Sequence, residues 1–69
     1  MNITKEMAEK FYKEICTIVY GDYNKRCGGS MSVAFIGKIM KISNEESREL
    51  CDAMVHYGIT EKLDEMIIL

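Results

Sequence analysis

Residues Met31 to Thr60 read MSVAFIGKIMKISNEESRELCDAMVHYGIT, and two short helical patterns stand in it back to back. Ser32 is placed to cap the first, Val33 to Lys41, whose Val33, Ile36 and Met40 share an apolar face. Gly37 in its middle costs about 1 kcal/mol relative to alanine, a cost that fits a site of close helix packing. Ile42 closes the turn. Ser43-Asn44-Glu45-Glu46 then has the spacing of a capping box, in which the serine hydroxyl and the glutamate carboxylate satisfy each other's backbone amides. The second pattern runs to about Tyr57, with Ser47, Leu50, Cys51 and Met54 inward, and Gly58 as its stop. Two helices joined by a tight turn and leading into a strand are used mostly to hold one helix against DNA.

Towards the C-terminus, Ile59-Thr60 and Met66 to Leu69 are apolar and β-prone, with the polar Glu61 to Glu65 between them. They read as a short hairpin, a wing. The competing reading is a helix from Thr60 to Leu69, because Leu63, Met66 and Ile67 also have helical spacing. The continuous apolar run at the end favours the hairpin. Towards the N-terminus, Ile3, Met7, Phe11, Ile15, Ile18 and Val19 form one stripe of an amphipathic helix over residues 4–20, capped by Asn2 or Thr4 and stopped by Gly21. Residues 21–30, GDYNKRCGGS, have loop composition. Lys25, Arg26, Cys27 and the Gly28–Gly29 pair should be exposed there. The segment lacks the spacing of a phosphate-binding loop, so it reads as a plain connection. The expected architecture is mainly α with a small β-hairpin, a winged helix-turn-helix of three helices plus a short wing. It forms one domain over 1–69: helix 4–20, loop 21–31, helix-turn-helix 32–57 and wing 58–69.

A chain of 69 residues buries only about 60% of its unfolded surface, so a monomer has little stability to spare. Apolar residues make up 48%, with six methionines, enough for one core and some interface; a homodimer would suit that composition. No apolar run is long enough to span a bilayer, and the opening MNITKEM lacks the layout of a signal peptide, so a cytoplasmic location is expected. Three cysteines without a C-x-x-C pair argue against a disulfide framework, and Cys16 and Cys51 fall within helical patterns as small core residues. Charge is unevenly spread: residues 1–41 carry 7 Lys/Arg against 4 Asp/Glu (+3), and residues 42–69 carry 2 against 7 (−5). That asymmetry suits a specific docking face better than a general nucleic-acid coat.

Ser32-Val33-Ala34-Phe35-Ile36, Met40-Lys41-Ile42, and then Met54 with Gly58-Ile59 resemble the gamma domain of septal DNA translocases of the FtsK type. The resemblance covers roughly residues 31–60 and lies mainly at core positions, including Leu50, Cys51 and Asp52. It implies a winged-helix fold and DNA as the partner. The family's G-Y-N-R-A-A-R falls on Ser43 to Glu49, where its asparagine and first arginine become Glu45 and Glu46 and its second arginine becomes Glu49. The glutamine and arginine of its first helix become Gly37 and Lys38.

Two functions follow as expectations. The first is a small DNA-binding regulator of transcription that contacts double-stranded DNA through Lys38, Lys41, Asn44 and Arg48, with Lys25 and Arg26 from the loop, and gains from dimerisation. The second is a protein-interaction module. Its Glu45, Glu46, Glu49 and Asp52 would dock on and block a basic nucleic-acid-binding protein, as a phage inhibitor such as an anti-CRISPR does. Acids in the first turn also favour the helix dipole, which accounts for Glu45 and Glu46 better than for Glu49 and Asp52. An enzyme is not expected: His56 is the only histidine, no carboxylate or thiol is spaced around it as a triad, and no metal or cofactor set is recognisable. Tyr20 and Tyr57 read as core-edge residues.

Overall fold

The computed structural model describes residues 2–21 and 29–69. Lys25, Arg26, Cys27 and Gly28 lie outside the described residues. Among those described, the elements run α1 (Lys5–Tyr20), β1 (Ser30–Ser32), α2 (Val33–Met40), α3 (Asn44–His56), β2 (Glu61–Leu63) and β3 (Met66–Ile68). The strands make one antiparallel sheet in the order β1-β3-β2. The protein is mainly helical with a small sheet, and its C-terminal segment is a hairpin, not a helix.

Local chemistry sets the helix ends where the sequence places them. The Thr4 hydroxyl accepts from the Met7 amide at 3.2 Å, and Ser32 accepts from Phe35 at 3.1 Å. Gly21, at φ 76°, ends α1. Both bonds of the Ser43–Glu46 capping box are present at 3.1 Å. At the other end of α3, Gly58 adopts φ 73°, and the Ile59 amide reaches back to the Met54 carbonyl at 2.9 Å. Lys41 ends α2 in the left-handed region at φ 58°, with the Ile42 amide on the Gly37 carbonyl at 2.9 Å. A helix of eight residues can therefore turn straight into α3.

Gly37 and Ser47 are where the two helices meet. A Cβ on Gly37 would lie 3.2 Å from the Ser47 Cβ and 3.3 Å from the Ile42 carbonyl oxygen. Ser47 is fully buried, and its hydroxyl donates to the Val33 carbonyl at 2.6 Å. Ser47, Leu50, Cys51 and Met54 are all inward, as their spacing implies. With Ile36, Ile15, Cys16 and Ile67, the apolar Leu50, Cys51 and Met54 form the centre of the core, while Tyr20 and Tyr57 pack at its edge.

Three expectations are corrected. The loop expected over 21–31 ends in a strand: Ser30 to Ser32 pair with Ile68 to Met66. Three residues of the type Ser-Met-Ser carry almost no periodicity, and β3 supplies the reason for them to extend. Leu69 N–H bonds to the Gly29 carbonyl at 2.9 Å and Val33 N–H to the Glu65 carbonyl at 3.0 Å, prolonging the pairing at both ends. Secondly, Glu61 to Leu63 form β2, opposite Ile68 to Met66. Charged residues are stable there because β2 is an edge strand. Thirdly, α1 is turned relative to the expected stripe. It buries Ala8, Tyr12, Ile15 and Cys16, and leaves Met7 and Ile18 37% and 54% exposed on its flank.

Candidate functional site

The solvent side of α3 follows from its buried side. With Ser47, Leu50 and Met54 inward, Glu45, Glu49, Asp52 and His56 recur at helical spacing on the opposite face, and all four are exposed. Glu46 is exposed too, but its carboxylate accepts from the Ser43 amide, and that bond holds its pKa below the ordinary 4.5. It serves as the cap of α3.

The cations of this region are also committed. Arg48 Nη1 donates to Glu65 Oε1 at 3.0 Å. This bond lowers the Glu65 pKa and raises that of Arg48. Lys62 Nζ donates to Asp52 Oδ1 at 3.2 Å. Arg48 and Lys62 are the only Lys or Arg side chains on α3 and the hairpin, so this surface offers carboxylates as its dominant charge. The turn of the hairpin is itself acidic: Asp64, at φ 59°, and Glu65 join β2 to β3.

Of the expected DNA contacts, Lys38, Lys41, Asn44 and Arg48 are exposed. They come from the end of α2, the turn and the outer edge of α3. Lys25 and Arg26 lie outside the described residues. Arg48 and Asn44 border a shallow hollow with Ser32, Val33, Ala34 and Glu65. A broader open groove lies between the N-terminal segment and α3, lined by Ile3, Glu49, Asp52, Ala53, His56 and Tyr57. His56 meets the Tyr57 ring edge to face, with centroids 5.0 Å apart, and the Tyr57 hydroxyl donates to the Ile3 carbonyl at 3.1 Å.

No group of three or more His, Cys, Asp or Glu residues is arranged to hold a metal among the described residues. Cys16 and Cys51 are buried free thiols, and burial pushes Cys51 up to about 11. No described helix is long and apolar enough to cross a membrane. The residues that sequence reasoning passed over are Asp64 and Glu65. They read there only as part of a polar spacer, and the hairpin register is what brings Glu65 to Arg48, 17 residues away in the chain. No protein-family model, curated protein or solved structure matches this chain.

Proposed function

We propose that this chain is a winged-helix module whose acidic α3 face binds a basic surface of another protein, one that itself binds nucleic acid. The order helix, strand, helix, helix, strand, strand, with the first strand beside the last, supports the winged-helix reading. The observation that carries the protein-binding reading is the double commitment of cations. Arg48 and Lys62 are each held by a carboxylate of the same surface, and the remaining charge of α3 and the hairpin is negative. Phosphate binding depends on Lys and Arg directed at the backbone, and this helix presents Glu45 and Glu49 instead, beside the Asp52–Lys62 ion pair. Masking the nucleic-acid site of a host effector, as an anti-CRISPR does, is the role that suits such a face.

DNA binding is the second reading. Its support is the exposed cluster of Lys38, Lys41 and Asn44 beside the start of α3. One pair of substitutions separates the two. Glu45→Arg with Glu49→Arg destroys docking on a basic partner but strengthens binding to duplex DNA. The measurement is fluorescence anisotropy with mixed-sequence duplex DNA from low to moderate salt, alongside inhibition of RNA-guided nucleases. Steeply salt-dependent DNA binding by the unsubstituted protein would overturn the first reading.

A further inference from the structure

We infer that the outer face of the β2–β3 hairpin, centred on Leu63 and Met66, is the apolar anchor with which this module seats on its protein partner. The inference rests on the protein-binding reading above and adds the contact that gives it affinity.

The register fixes the geometry. Met31, Ile67 and Lys62 stand opposite one another across the three strands, and Ile67 is fully buried, so that row faces the core. The neighbouring row, Ser32, Met66 and Leu63, therefore faces outward. Leu63 is 70% exposed and Met66 37%. One exposed leucine is ordinary on a protein surface. Here the two apolar side chains are directly paired across a two-residue turn, which makes them one patch at the tip of the hairpin. Phe35, 48% exposed, lies on the first turn of α2, the turn that Ser32 caps.

The tip is also braced. The Glu65 carbonyl accepts from the Val33 amide at 3.0 Å, while its carboxylate accepts from Arg48 at 3.0 Å. Arg48 thus links α3 to the turn through an ion pair at the protein surface, beside the backbone bond from Val33. A patch held in place before contact loses less entropy on binding, and such residues are the ones that carry affinity at interfaces.

Charge selects the occupant. Glu61 and Asp64 are exposed around the patch and leave it net negative, the Glu65 charge being balanced by Arg48. A second copy would bring the same acids against them, so the face does not suit self-association. It suits a partner with an apolar cleft bordered by lysine or arginine, the reverse of the patch in both shape and sign.

The test uses the full chain, labelled with nitrogen-15, and two synthetic peptides of equal positive charge, one alternating lysine with leucine and the other lysine with serine. The expected result is that the leucine peptide shifts the amides of Leu63 to Met66 and binds about tenfold more tightly than the serine peptide. That preference should vanish in Leu63→Ser, with Met66→Ser as a second variant and a dispersed amide spectrum as the check on folding. Equal affinities, with shifts confined to Glu45–His56, would overturn the hairpin anchor and leave the acidic-face reading standing. Binding of neither peptide would overturn both. Self-association in sedimentation velocity that Leu63→Ser abolishes would assign the patch to a second copy, against the inference.

Discussion

Gly37→Ala puts the crossing of α2 and α3 to a quantitative test. On an exposed helix this substitution stabilises by about 1 kcal/mol, because glycine has more freedom to lose on folding. Here the added Cβ would sit 3.2 Å from the Ser47 Cβ and 3.3 Å from the Ile42 carbonyl oxygen. Neither neighbour yields cheaply. The Ser47 hydroxyl is bonded to the Val33 carbonyl in a fully buried site, and the Ile42 backbone is held by its own amide on the Gly37 carbonyl. Overpacking of this kind costs about 1–3 kcal/mol. The cost exceeds the propensity gain, so the net expectation is a loss of about 1 kcal/mol, or a fall in melting temperature of roughly 4–8 °C for a domain this size. Urea unfolding followed by circular dichroism measures it, with the slope checked for constancy. Adding Ser47→Gly removes the opposing Cβ, so the double-mutant cycle should show a favourable coupling between the two changes. An increase of about 1 kcal/mol for Gly37→Ala alone would refute the close crossing.

Three further outcomes concern the titrating side chains of α3, the hairpin and the core. Glu46 and Glu65 are held below 4.5 by Ser43 and Arg48, so the stability they contribute is present above that value and lost as pH falls through their lowered pKa values. Melting temperatures from pH 7 down to 2.5 should therefore fall less for Glu46→Gln and Glu65→Gln than for the parent. Cys51 is raised from 9.0 to about 11 by burial, so its contribution is present below 9 and lost as pH rises towards 11. Cys51→Ala should flatten that alkaline limb. In a Cys27→Ser chain at neutral pH the buried thiols should react with a disulfide reagent only as fast as the chain opens, and rapid labelling of Cys51 under native conditions would contradict its burial.

Local rules were sufficient for the helices. Thr4, Ser32 and Ser43 each satisfy an amide three residues on, and Gly21 and Gly58 adopt the left-handed conformation that ends α1 and α3. These are interactions within one turn, so the order of residues alone contains them. The inward face of α3 was legible for the same reason, since 3.6-residue periodicity is a property of the helix itself. The rotation of α1 was not: Ala8 and Tyr12 are buried in place of Met7 because of what α2, α3 and the sheet present to them. β1 was not legible either. Ser30 to Ser32 have no strand pattern of their own and extend because Met66 to Ile68 offer free backbone groups across the fold.

The charges divide in the same way. That residues 42–69 carry seven acids against two bases holds whatever the fold. What those bases touch depends on how the chain is folded. Arg48 reads in the sequence as a cation on the outside of a helix, available to phosphate. In the folded chain the two-residue hairpin turn brings Glu65 to within 3.0 Å of it, and β2 brings Lys62 to Asp52 at 3.2 Å. Both pairings span ten residues or more of chain. No local pattern encodes them, because they depend on the hairpin register, which is fixed by the burial of Ile67.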